Sequence, residues 1–258
     1  MNIGLIGAGA IGTYLLEELN GKNNQDLHIT AVYVRNKEKY SHLEKTYNVN
    51  VFTNMDEFLK SGIDIVVESA NVETVRDLLP IIVKEKDIVL ISIGALADTE
   101  FLNQIQSILT TYDTQIHLPS GAIGGLDLIQ NSAAVGIIHK VNLVTRKPAH
   151  TLVAEKILEA KIVFEGKATE AIERYPKNMN VSIALALAGI GFKQTKVTLI
   201  ADPTIKENIH RIEVEGEFGS FVSEIKNKPL PSNPNTSYLA AVSIVGTLKK
   251  MTKNIQIG

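Results

Sequence analysis

The sequence predicts an α/β protein, with an N-terminal doubly wound parallel sheet followed by a C-terminal α+β domain. Three observations carry this. Short continuous apolar runs alternate with helix-length stretches up to Leu118. A glycine-rich turn follows the first apolar run at once. After Leu118 the pattern changes to period-two alternation with glycine turns of the hairpin kind. The 258-residue length suits two modest domains. The expected division is 1–118, 119–235, and a C-terminal helix within 236–258 that packs back on the first domain.

The elements follow in order. Ile3, Leu5 and Ile6 form a run that fits a buried parallel strand. A helix over Ile11 to Leu19 buries Leu15, Leu16 and Leu19. Leu27 to Val34 is the second strand, rich in β-branched residues. Glu38 to Tyr47 is expected as one helix and Val49 to Phe52 as a short strand. Asn54 before Asp56 and Glu57 is a capping signal for a small helix ending near Lys60. Ile63 to Glu68 is a buried strand, and Ser69 to Asn71 a polar turn at its carboxyl end. Val72 to Leu79 begins a helix, Asp87 to Ile93 is a strand ending in Gly94-Ala95, and Glu100 to Leu109 is a helix. Gln115 to Leu118 leads into the last strand of this half. In the second half Val141 to Thr145, Ile162 to Phe164, Lys196 to Ala201, Asn208 to Glu215 and Gly216 to Ile225 read as strands. Glu165-Gly166 reads as a turn and Val181 to Ala188 as a helix ending at Gly189. These strands predict a mixed or antiparallel sheet covered by helices.

The turn after the first strand is Gly7-Ala-Gly9-Ala-Ile-Gly12, a G-x-G-x-x-G in the strand–turn–helix setting that dinucleotide binding requires. Gly7 permits the tight turn, Gly9 lets backbone approach a pyrophosphate, and Gly12 lets the helix pack closely. The helix start at Ala10 and Ile11 offers N–H groups and a positive dipole end to the phosphates. The second strand ends in Val34-Arg35-Asn36-Lys37. An acid that would hold the ribose hydroxyls of NAD is missing there. Arg35 and Lys37 stand where a 2′-phosphate would lie, which favours NADP, although acid-free strand ends also occur in NAD users.

Composition narrows the function. Net charge is −2, so no basic field exists for nucleic acid or an anionic membrane. There is no cysteine, which removes disulfides, thiolate metal sites and a cysteine nucleophile. No run of about 18 apolar residues is present to span a bilayer, and no signal peptide is evident, so a cytoplasmic location is expected. Neither H-x-x-x-H spacing nor an acid–histidine cluster points to a metal, and no G-x-S-x-G marks a nucleophilic serine.

A substrate oxidised by hydride transfer to a nicotinamide also gives up a proton, so a group of suitable pKa is needed, and histidine is the natural one. Of six histidines, His28, His42 and His139 lie within ordinary patterns and His150 in a loop. His117, just before the glycine block, and His210, opening an alternating strand, are the candidates. An anionic substrate would need cations or backbone donors. Arg146, Lys147, Arg174 and Lys177 are available, with Lys177 the first choice, and Ser120 and Gly121 can offer N–H groups. Of Asn178 and Asn180, one is expected to meet cofactor and the other to cap the helix starting near Val181.

Seven blocks in combination resemble the L-aspartate dehydrogenase family: Pro119-Ser-Gly-Ala-Ile-Gly-Gly-Leu-Asp127, Thr145-Arg-Lys-Pro148, Tyr175-Pro-Lys-Asn-Met-Asn-Val181, Ala201-Asp-Pro203, Asn208-Ile-His210, Gly216-Glu-Phe-Gly219 and Asn233-Pro-Asn-Thr-Ser237. The resemblance implies a Rossmann domain joined to an α+β domain that carries a homodimer contact. It implies NAD(P)-dependent oxidative deamination of L-aspartate to iminoaspartate, which hydrolyses to oxaloacetate and ammonia or feeds NAD biosynthesis. It places the family's catalytic histidine on His210 and cofactor contacts on Ala122 and Asn180. Two other readings stay open at this level. One is a related dehydrogenase of another small amino acid; the other is a dinucleotide-binding redox sensor without turnover.

Overall fold

The structure is a computed structural model that describes residues 1–22 and 26–255, except the side chains of Lys177 and Asn235. The chain divides into two compact units. One comprises residues 1–119 and the segment from Ala241 on, the other residues 120–240.

The first unit is built on a six-stranded sheet in which every pairing is parallel. Its strands are β1 (Asn2–Ile6), β2 (His28–Tyr33), β3 (Asn50–Phe52), β4 (Ile65–Glu68), β5 (Ile88–Leu90) and β6 (Ile116–His117), in the order β3-β2-β1-β4-β5-β6. The helices are α1 (Ala10–Leu19), α2 (Lys37–Tyr40), α3 (His42–Tyr47), α4 (Met55–Leu59), α5 (Val72–Ile82) and α6 (Thr99–Tyr112). Side-chain oxygens of Asn36, Asn54, Asn71 and Asp98 cap α2, α4, α5 and α6. Strand order reverses between β1 and β4, and that reversal opens a crevice at their carboxyl ends.

Two expectations are corrected here, and one helix is extended. The stretch Glu38 to Tyr47 is two short helices, α2 and α3, meeting at Ser41. Helix α5 continues through Pro80 to Ile82. Residues Ile93–Ala97 form a 3-10 turn, so the strand before it stops at Leu90.

The second unit holds a five-stranded mixed sheet with strands β7 (Ile138–Pro148), β8 (Lys161–Lys167), β9 (Lys196–Asp202), β10 (Asn208–Gly216) and β11 (Gly219–Asn227). Their order is β11-β10-β7-β9-β8, with β7 and β9 parallel and the other pairs antiparallel. Helices α7 (Leu126–Ala134), α8 (Ala168–Arg174) and α9 (Asn180–Ala188) supply its helical layer. Ile129 and Leu185 pack with Val141, Leu143, Val197, Leu199, Ile212 and Val214 from alternate strand positions. A small ribbon pairs β12 (Pro229–Leu230) with β13 (Asn233–Ser237).

Glu165 and Gly166 lie inside β8 rather than in a turn. A Cβ on Gly166 would meet the Phe164 ring at 2.8 Å and the Glu170 carboxylate at 2.5 Å, so crowding selects glycine there. The final helix α10 (Tyr238–Met251) sends Ile244, Val245 and Leu248 into the core of the first unit with Ile3, Leu15 and Leu19.

Candidate functional site

The first unit presents a cavity of about 300 Å³ at the carboxyl edge of its sheet. Gly7 and Gly9 form one wall, Arg35 and Lys39 the second, and Ser69 and Asn71 the third. Gly7 has φ +90°, and a Cβ there would lie 2.9 Å from that of Ala70, so backbone and packing both require glycine. Gly9 is different. Its backbone is extended, with φ −77°, and a Cβ would find nothing within 4 Å. The protein itself therefore has no need of glycine at that position, whereas a pyrophosphate laid on the start of α1 does. Gly12 has a third reason, because a Cβ on it would collide with the Gly7 carbonyl. Ala10 and Ile11 begin α1 directly behind this loop.

At the end of β2, Arg35 lines the cavity as expected, but Lys37 does not. The start of α2 turns Lys37 toward Glu44, which it meets at 3.2 Å. Lys39 takes its place, with its ammonium 5.1 Å from the centre of the Tyr40 ring. The cavity thus offers two cations and no carboxylate among its lining residues.

The second unit gathers a polar cluster on the helix-facing side of its sheet. His210 on β10 lies opposite Thr145 on β7, and Lys147 follows two residues on, on the same face. His210 is 4% exposed, and its Nδ1 is 3.0 Å from Thr145 Oγ1. Burial first, and the charge of Lys147 second, hold its imidazole down at about 3. It is therefore neutral at working pH. Burial lowers the Lys147 ammonium to about 8. Lys147 Nζ donates to Asn178 Oδ1 at 2.8 Å.

Of the other expected site residues, Arg146 on the opposite face is committed to Asp202 at 2.6 Å, and Asp202 also accepts from Thr204. Arg174 is exposed, with its guanidinium 5.7 Å from the Tyr175 ring. Lys177 sits in the 3-10 turn Pro176–Asn178, but its side chain lies outside the described residues. Neither asparagine caps α9: its N-cap is Met179, Asn178 receives Lys147, and Asn180 is an exposed first-turn residue. Ser120, Gly121 and Ala122 form a turn closed by the Ile123 N–H to Ser120, with Gly121 at φ +63°. His117 stays in the first unit on β6, its Nε2 buried and without a hydrogen-bond partner.

One positioning contact escaped the sequence reading. Buried Asn227 donates its amide to the Ala122 carbonyl at 3.0 Å and accepts from Ser237 Oγ at 2.6 Å. An asparagine at the end of an alternating strand gives no sign of this. Among the described residues no group of three His, Cys, Asp or Glu is placed to hold a metal ion. No described helix is long and apolar enough to cross a membrane.

A parallel sheet with a glycine loop at its switch point, followed by a mixed-sheet unit with a buried histidine, defines an oxidoreductase that uses a pyridine nucleotide. The comparisons agree. Residues 7–119 match the homoserine dehydrogenase NAD binding domain, and residues 127–251 match the C-terminal domain of aspartate dehydrogenase. The chain is 38% identical to an L-aspartate dehydrogenase of Methanosarcina mazei and 38% identical to one of Methanococcoides burtonii, covering 100% of this chain and 99% of each relative. A crystal structure of aspartate dehydrogenase from Thermotoga maritima matches with TM-score 0.82 and 30% identity, over 100% of this chain and 99% of that one. A homoserine dehydrogenase from Thiobacillus denitrificans, 14% identical with TM-score 0.62, shares the fold. The chain belongs to the L-aspartate dehydrogenase family.

Proposed function

We propose that this protein oxidises L-aspartate to iminoaspartate with a nicotinamide dinucleotide, and that it prefers NADP. The observation that carries the reaction is the His210–Thr145 pair beside Lys147 and Asn178 on one face of the second sheet. The chemistry a bound nicotinamide would supply is acceptance of a hydride from the substrate Cα. The amino nitrogen loses a proton, and His210 receives it. For that the Nδ1–H donates to Thr145 Oγ1, which leaves the Nε2 lone pair free. Lys147 binds a substrate carboxylate, with Lys177 as second cation and the Ser120 and Gly121 N–H groups as further donors. Ala122 and Asn180 are cofactor contacts.

A bound carboxylate also changes the proton chemistry. It offsets the Lys147 charge that depresses His210, so the imidazole becomes a stronger base when substrate arrives. NADP preference follows from Arg35 and Lys39 in the cavity and the absence of a carboxylate among its lining residues. Iminoaspartate leaves to hydrolyse to oxaloacetate and ammonia or to feed NAD biosynthesis, in the cytoplasm. We assign the homodimer contact to the second unit, whose sheet exposes Ile162 and Val222 on its two edge strands.

The test is the initial rate of reduced-nicotinamide formation from L-aspartate with NAD and with NADP, on wild type and His210→Ala. Turnover that the variant loses while keeping dinucleotide binding supports the reading. Dinucleotide binding without turnover of L-aspartate by the wild type refutes it.

A further inference from the structure

The buried acid Glu68 takes no part in the chemistry above. It is the last residue of β4, 2% exposed, and the gap beside it is lined by apolar side chains including Ile6, Val75, Leu79, Ile88 and Leu90, with no second titratable group. A carboxylate in such surroundings is costly unless its oxygens are hydrogen-bonded. Each oxygen has a backbone donor. Oε1 accepts the Ala70 N–H at 2.6 Å, and Oε2 accepts the Ser92 N–H at 2.9 Å. These donors belong to two loops, one after β4 and one after β5, both at the edge where the dinucleotide cavity lies.

The first loop touches the glycine turn directly. Ala70 stands so close to Gly7 that a Cβ on Gly7 would be 2.9 Å from its own. Ser69 Oγ donates to the Gly7 carbonyl at 3.1 Å. The second loop opens the 3-10 turn Ile93–Ala97, whose Gly94 packs against Val72 at the start of α5. One carboxylate therefore ties together the loop that braces Gly7 and the loop beside it. An apolar residue there would leave the Ala70 and Ser92 N–H groups without this acceptor.

We propose that Glu68 is a positioning residue for the dinucleotide: its ionised carboxylate holds the Ser69–Asn71 loop against the glycine turn and so sets the shape of the pyrophosphate cradle. The inference rests on the dinucleotide reading of that cradle. The ionised form accepts both N–H groups much more strongly than the protonated one, so dinucleotide affinity depends on the charge of Glu68. Burial raises this carboxyl above its ordinary range, against the lowering by its hydrogen-bond donors, so the charge is lost at a higher pH than from a free glutamate.

The experiment is a titration of the full chain with NADPH and NADH, followed by their fluorescence, on wild type, Glu68→Gln and Glu68→Asp between pH 8 and 5. Removal of a charged acceptor from one N–H weakens binding by about tenfold in Glu68→Gln. Glu68→Asp keeps the charge but is too short to reach both loops, and it weakens binding too. The wild-type Kd rises as pH falls, while that of Glu68→Gln changes less over the same range. A purely structural role would not produce that difference in pH profile. In turnover, KM for the dinucleotide rises and KM for aspartate stays. Equal affinity of wild type and Glu68→Gln across the pH range would overturn the inference alone. A wild type that binds neither dinucleotide would overturn the dinucleotide reading, and the inference with it.

Discussion

Lys147→Met is expected to make the protein more stable and a worse enzyme. In the folded chain the Lys147 ammonium titrates at about 8 instead of its ordinary 10.5, because burial disfavours the charge. Holding it charged at pH 7 therefore costs the native state about 3 kcal/mol. Methionine has nearly the same length and removes that cost, while it forfeits the bond to Asn178, worth about 1 kcal/mol. The net gain is about 2 kcal/mol, which corresponds to roughly 4–8 °C in melting temperature for a chain of this size. The sign can be checked by pH. Between pH 8 and 10.5 the unfolded chain binds more protons at this lysine than the folded chain does, so wild-type stability rises with pH there. The variant lacks that rise, and the two melting curves converge on the alkaline side. The functional loss has the opposite sign. Truncating one partner of a buried charge pair costs about 2–4 kcal/mol, so KM for L-aspartate rises at least about 30-fold. The assay is thermal melting at pH 7 and pH 10 alongside initial rates at saturating cofactor. A variant less stable than wild type at pH 7, or one with an unchanged KM, would refute the argument.

Other outcomes follow from the same geometry. His210→Asn should lower kcat by about 10²–10⁴ while the dinucleotide Kd stays within a few-fold, measured by single-wavelength kinetics and fluorescence titration. The buried imidazole titrates at about 3 rather than 6.5, so the unfolded chain takes up its proton first. Wild-type stability at this site is thus lost as pH falls from 6.5 toward 3, and the asparagine variant should be less acid-sensitive in urea melts. Arg35→Ser should lower the NADP-to-NAD ratio of kcat/KM by about tenfold or more, whereas Lys37→Ala should leave it unchanged because Lys37 is held by Glu44. Gly9→Ala should keep its melting temperature within about 1–2 °C yet lose dinucleotide affinity, since its Cβ meets only the ligand's space. Gly12→Ala should lose stability, because its Cβ meets the Gly7 carbonyl.

Much of the first unit was legible because its signals are local. Each parallel strand is a run of apolar residues, and the glycine turn advertises its own chemistry through spacing. The second unit was less so. Helix α7 follows a glycine-dense block that masks its onset, and Ala168–Arg174 is too short for its period to show. Gly166 misled because a glycine within a strand can answer crowding as well as a turn. In the second unit, chemistry and resemblance both pointed to His210, and the structure buries it beside Thr145. The choice among cations was not legible. Arg146 and Lys147 are neighbours in sequence, but strand alternation sends one to Asp202 and the other to the His210 face. Lys37 and Lys39 are two apart, and only the course of α2 decides which reaches the cavity. Sequence names the residue types a site needs. The pleat and the helix turn decide which copies arrive.

Helix α10 bears on how the chain is made. The first unit's sheet is complete in sequence by His117, yet its core includes Ile244, Val245 and Leu248. On the ribosome the six strands emerge long before this helix does. Between those moments the apolar surface around Ile3, Leu15 and Leu19 has no permanent cover. The whole second unit must be synthesised within that interval, so the two units are interleaved in time even though the chain forms them as separate compact bodies. A nascent chain stalled before Ala241 would expose a sticky, half-roofed core, the state on which chaperones act and from which aggregation begins.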